Sequence, residues 1–89
     1  MKTLVVSEIY CLAGTAAARG DPPRAARLAA VAELHQSFFG PEEAAFAELH
    51  RADIEGAKAA CDPETWERAW SAGTALSLEE ATTYALSSA

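Results

Sequence analysis

Apolar residues recur along this chain at the three- and four-residue spacing of an α-helix, and short polar breaks separate the apolar stretches. The pattern predicts five helices, at about residues 3–19, 22–38, 41–61, 63–73 and 78–86. Leu4, Val5 and Val6 at the start of the first helix are also typical of a strand. Since nothing nearby offers a second strand to pair with them, we predict a helix there.

The breaks between the predicted helices contain residues that end one helix and start the next. Gly20 can adopt the left-handed conformation that ends a helix, and Asp21 can accept hydrogen bonds from the first amides of the following one. A glycine or aspartate followed by proline recurs before the third and fourth helices. Ser77 and Glu80 have the spacing of a capping box before the fifth. Because the breaks are short, we expect all-α architecture built from antiparallel helical hairpins, with consecutive helices as neighbours throughout.

Small side chains occupy the positions at which the first two helices would touch. These are Ala13, Ala16, Ala25, Ala29 and Ala32. Alanine at a crossing lets two helix backbones approach closely, and the apolar edge that remains must be covered by something else. We therefore predict that two copies pair symmetrically through the first two helices, with Val5, Leu28 and Leu34 in the interface. Gly56, inside the third helix, is expected to mark another close crossing.

The length and net charge of the chain limit which kinds of molecule it is expected to bind. With 89 residues the chain is one domain, residues 1–89, and its net charge of −6 argues against nucleic acid or an anionic membrane as a direct partner. Residues 1–31 carry a net charge of +2, whereas residues 32–89 carry −8. The sequence shows neither a signal peptide nor an apolar run that could span a membrane, so we expect a cytoplasmic protein. Cys11 and Cys61 fit no zinc-binding spacing and are expected to be structural thiols.

Three groups of side chains could carry function. Trp66 and Trp70 are four residues apart and hence lie on one helix face, where together with Tyr84 they could line a binding groove or simply fill the core. Arg24 and Arg27 could bind an anion or a carboxylate beside the start of the second helix, or could lie on a solvated face.

The two histidines form the third group. His35 and His50 could contribute to a metal or acid–base site, because histidine titrates near neutrality. No His-x-x-x-His or Glu-x-x-His pair lies within one helix, so ordinary surface or interface histidines are favoured. We predict no cofactor, no metal and no catalytic residue.

The first hairpin resembles a tetratricopeptide repeat. With Gly20 at the turn, the small-residue positions of that repeat fall on Ala13, Ala25 and Ala32. It departs from the repeat at Ala16, where an aromatic side chain is usual.

Three longer segments resemble the C-terminal tail of large bacterial regulators of the LuxR type and of AfsR-like ATPases. The segments read GDPPRAARLAAVAEL, FFGPEEAAF and ETWERAWSAGTALSLEEATTYAL. In that group the ATPase and the DNA-binding domain lie outside the tail, so the resemblance implies a helical sensor or scaffold without ATP-binding or DNA-binding residues of its own. The sequence leaves open whether the chain is a complete gene product or a fragment.

These observations favour a non-catalytic, tetratricopeptide-like module that binds protein, with self-association as a homodimer. The predicted contact residues are Val5, Arg24, Arg27, Leu28, Leu34, Trp66 and Trp70. The main alternative is a small ligand- or metal-binding protein, or an enzyme, that uses His35 or His50 and the tryptophan face. A small DNA-associated regulator is a third possibility, which the acidic net charge disfavours.

Overall fold

The computed structural model describes residues 2–35 and 41–87, with side chains for all of these except 2–5, 7, 41–44, 46–47 and 87. The described residues form five helices and no strand. The helices are α1 (Lys2–Ala18), α2 (Pro22–Leu34), α3 (Pro41–Ala60), α4 (Pro63–Thr74) and α5 (Leu78–Ser87). The predicted all-α class and the number of helices are therefore confirmed, and Lys2 opens a helix, not a strand.

The turn between α1 and α2 follows from its two central residues. Gly20 has a φ of +79°, in the left-handed region that glycine enters without steric penalty. The Asp21 carboxylate then accepts a hydrogen bond from the Arg24 amide at 3.4 Å, which caps α2. This three-residue connection folds the chain back on itself, so that α1 and α2 pack along each other as a hairpin.

The other predicted caps are also present. Asp62 Oδ2 accepts a hydrogen bond from the Thr65 amide at 3.1 Å at the start of α4. Ser77 and Glu80 form a reciprocal capping box before α5, with amide-to-side-chain distances of 2.8 and 3.0 Å. The predicted break at residues 39–40 lies outside the described residues. The second helix ends earlier than predicted, at Leu34 and not near residue 38, with His35 as its C-cap residue.

The helix α2 lies at the centre of the fold. It packs against all four other helices, most extensively against α4 and α1. This is possible because its side chains are buried from residue 25 to residue 32 with a single interruption at Arg27. The alanines predicted at helix crossings are all buried, at 0 to 4% exposure.

Helices that follow each other in the chain are not neighbours throughout, contrary to our expectation. Across the described residues α3 packs mainly on α1, and α4 packs mainly on α2, whereas α3 and α4 have few contacts with each other. The physical reason is the wide small-residue surface of α1 and α2, which receives one later helix on each side. A gap between α3 and α4 is the consequence.

Two positions differ from the sequence-based predictions. Leu28, predicted in an intermolecular interface, is 0% exposed and is among the largest fully buried side chains of the core. Gly56 marks no crossing, because it lies on the solvent face of α3 and a Cβ added there would meet nothing within 4 Å. The close crossing is at Gly73, where α4 lies directly against the backbone of α2.

Candidate interaction surface

A groove lies in the gap between α3 and α4. Its apolar part consists of Ile54 from α3 and of Trp66 and Trp70 from α4, and its volume is about 340 Å³. Trp66 is buried at 4% exposure, whereas Trp70 is half-buried. The two rings are stacked, with centroids 6.4 Å apart and planes inclined by 25°. We call this feature the tryptophan groove.

Charged side chains surround the apolar part of the tryptophan groove. The charged lining residues are all exposed and are Glu33, Arg51, Glu55, Lys58 and Glu67. Arg51 forms a salt bridge with Glu48 at 3.1 Å. Within the described part of the chain, this is the one salt bridge that involves a charged lining residue. The carboxylates of Glu33, Glu55 and Glu67 therefore face the groove, and the Lys58 ammonium group is the lining cation without a salt bridge.

The charges around the groove also act on a neighbouring buried phenol. Burial raises the pKa of Tyr10 above its ordinary value, and the nearby Arg51 guanidinium opposes that shift. The carboxylates of Glu33, Glu48 and Glu55 raise the pKa further. The Tyr10 phenol therefore stays protonated to a higher pH than a free tyrosine does.

The two arginines predicted as an anion site are used inside the fold. Arg24 Nη2 donates a hydrogen bond to the carbonyl oxygen of Ala85 at 2.8 Å, near the C-terminal end of α5. The guanidinium carbons of Arg24 and Arg27 each lie 4.9 Å from the centre of the Tyr84 ring. These contacts attach α5 to α2. They also place Tyr84 away from the tryptophan groove, where it was predicted to contribute.

A second hollow, which was not predicted from the sequence, lies between α1, α2 and α5. Its volume is about 570 Å³, and it is lined by Leu12, Ala16, Arg19, Arg24 and Ala85 among others. Its arginines come from the α1–α2 turn region. Tertiary packing of α5 creates this hollow, so no local pattern in the sequence could have revealed it.

The structure brings neither histidine to the tryptophan groove. His35 Nδ1 lies 3.0 Å from the carbonyl oxygen of Val31, one turn earlier on α2. The ring of His50 packs against Gly14 of α1, in space that any larger residue at position 14 would fill. Among the described residues, no group of three or more metal-binding side chains is close enough together to hold an ion.

The remaining predicted contact residue with a described side chain is Leu34. It is 57% exposed at the end of α2, which makes it available to a second molecule. Leu49 and Leu86 are exposed to 70% on α3 and α5. The side chain of Val5 lies outside the described residues. No helix in the described part of the chain is long and apolar enough to cross a membrane.

Comparisons of the chain with protein-family models, with curated proteins and with solved structures found no match. The resemblance to regulator tails is neither supported nor contradicted by them. It stays a prediction that rests on the three sequence segments.

Proposed function

We propose that this chain is a non-catalytic helical module that binds another protein in the cytoplasm, and that the tryptophan groove is its binding surface. The proposal includes the relation to the C-terminal region of bacterial multidomain transcriptional regulators, which the segment at residues 69–81 supports. The observation that carries the proposal is the half-buried Trp70, placed in an open gap between two helices.

A half-buried tryptophan in a groove is a typical anchor for a protein partner. Tryptophan dominates binding energies at interfaces because it buries a large apolar area while its indole N–H can still bond at the edge. The stacked Trp66 holds the Trp70 ring in place, so little conformational entropy would be lost on binding. His35 contacts a carbonyl of its own helix and His50 packs against α1; because neither lines the groove, we favour binding by apolar contacts over histidine-based catalysis there.

Selection from a displayed peptide library, with the folded chain as bait, tests this proposal. We expect selected peptides to lose most of their binding to Trp70→Ala and to keep it with Leu49→Ala. The second variant is a matched control, because Leu49 is a large, 70% exposed apolar residue outside the groove. Circular dichroism establishes that both variants are folded. Peptides that bind the two variants equally well would contradict the assignment of the groove.

Self-association as a homodimer is a separate part of the proposal. Since α1 and α2 are covered by the other helices, the surface left for pairing at these two helices centres on Leu12 and Leu34, exposed to 37% and 57%. Light scattering across about a hundredfold range of protein concentration tests it. We expect a dimer that Leu34→Ser weakens. A wild-type monomer throughout that range would exclude dimerisation without affecting the tryptophan groove.

A further inference from the structure

We infer that the tryptophan groove accepts a basic segment of a different protein, in which arginine or lysine side chains flank an apolar one. This inference rests on the proposed function and specifies its partner. Charge complementarity carries it. The groove is lined by the carboxylates of Glu33, Glu55 and Glu67 and by the cations of Arg51 and Lys58. Arg51 is paired with Glu48, so Lys58 is the lining cation left to balance the three carboxylates.

The groove combines the two surfaces that a guanidinium or ammonium group prefers. The exposed part of Trp70 offers an aromatic face, over which a cation is attracted by the negative charge of the π-system. The carboxylates of Glu55 and Glu67 come from opposite walls of the same groove, where they can accept charge-assisted hydrogen bonds. An apolar side chain next to the cation can contact Ile54 and Trp66.

The dimensions of the groove fit a short segment. The lining residues on α3 run from Arg51 to Lys58, about 10 Å along the helix axis, and those on α4 run from Trp66 to Trp70, about 6 Å. A space of about 340 Å³ is at the lower end of the range for binding pockets. It can receive a few side chains from one or two turns of a partner helix, but not a whole domain.

A second copy of this chain is a poor occupant. The only basic part of the chain, residues 1–31, carries a net charge of just +2 to set against the carboxylates of the groove. Of its basic residues, Arg24 and Arg27 hold α5, and Arg51 is already paired with Glu48. The other basic residues with described side chains are Arg19, Lys58 and Arg68, and they come from three different elements, so they form no basic stripe on one helix. The partner is therefore a different protein with a basic amphipathic segment.

Intrinsic fluorescence can test this directly, because the two tryptophans of the chain both line the groove. The probe is a tryptophan-free peptide of about 12 residues, blocked at both ends, with leucines on one helical face and arginines beside them. An analogue with glutamate in place of each arginine is its control. We expect a saturable fluorescence change with the arginine peptide, with affinity at least about tenfold above that of the glutamate analogue, and weaker binding at high salt.

Charge variants of the protein locate the effect. The double variant Glu55→Gln/Glu67→Gln is expected to lower the affinity for the arginine peptide by about three- to tenfold. The double variant Asp53→Asn/Glu64→Gln, a matched neutralisation of one exposed acid on each of α3 and α4 outside the groove, is expected to leave the affinity unchanged. Equal loss in both proteins would show a non-specific attraction and overturn the inference.

Two further outcomes would also overturn it. Equal affinity for the arginine and glutamate peptides would remove the charge preference. A fluorescence change on concentrating the Leu34→Ser variant alone, in which pairing through Leu34 is weakened, would make a second copy the occupant. In either case, library peptides whose binding is lost in Trp70→Ala would still support the proposed function. If no peptide depends on Trp70, the proposed function fails as well.

Discussion

Gly56 and Gly73 both lie inside helices, but their surroundings are opposite. A Cβ at position 73 would collide with the carbonyl oxygen of Arg27 and approach the Ala30 Cβ to 2.9 Å. A Cβ at position 56 would extend into open space. The missing side chain at position 73 thus allows α4 to lie in backbone contact with α2, whereas glycine at position 56 merely weakens its own helix.

Alanine at these two positions should shift stability in opposite directions. We expect Gly56→Ala to raise the free energy of unfolding by about 0.5–1 kcal/mol, the intrinsic helix preference of alanine over glycine. Gly73→Ala should lower it by about 1–3 kcal/mol, because α4 must move away from α2. Urea unfolding followed by circular dichroism measures both. A gain in stability for both variants would show that α4 and α2 are not in backbone contact.

Tyr10 gives the stability of the fold a dependence on alkaline pH. Its folded pKa is raised above the ordinary 10.0, first by burial. A raised pKa means that the stabilisation is complete below the unfolded value and is lost as the pH rises through the folded one. As the pH rises above about 10, the ordinary value, we expect the wild type to lose stability more steeply than Tyr10→Phe, in urea unfolding at each pH. If the stability of both proteins fell equally with pH, the alkaline loss of stability would not come from Tyr10.

At the scale of whole helices, the sequence predicted where helices begin and end, but for most helices it did not predict which other helix they pack against. Helix ends depend on residues next to each other in sequence, such as Gly20 with Asp21 and Ser77 with Glu80, and all of these act as predicted. Which helices pack together depends on which helix surfaces are wide enough to receive another helix. The packing of α4 on α2, and with it the tryptophan groove, therefore could not be derived from short connections alone.

Arg24 links α5 to α2 through two contacts. Its guanidinium bonds to Ala85 O and lies over Tyr84, so we expect Arg24→Ala to speed amide hydrogen exchange in α5 while α1 to α4 keep their protection. The loss of stability should be about 1 kcal/mol. Arg68→Ala, the removal of an exposed arginine on α4, is the control and should leave α5 unchanged. Hydrogen exchange read by mass spectrometry distinguishes the two. Uniform acceleration in all helices would mean that α5 does not open separately.

At the scale of the molecule, α2 makes the fold cooperative. Each of the other helices buries part of its surface against α2, and the core contains mostly alanine with few large side chains. A chain of 89 residues has a stability of about 4–13 kcal/mol. One large side chain such as Trp66 therefore contributes a substantial part of the total, and its loss is transmitted to every helix through α2.

Truncation of the two tryptophans tests this cooperativity. Trp66 is buried at 4% exposure, so Trp66→Ala should lower the free energy of unfolding by about 3–5 kcal/mol. Trp70→Ala should cost clearly less, because Trp70 is half-buried. In both variants helix content by circular dichroism and the fluorescence of the remaining tryptophan should change in one coincident transition. If Trp66→Ala melted α4 while the other helices stayed folded, α4 would be an appendage, and the groove between α3 and α4 would have no rigid wall with which to bind a partner.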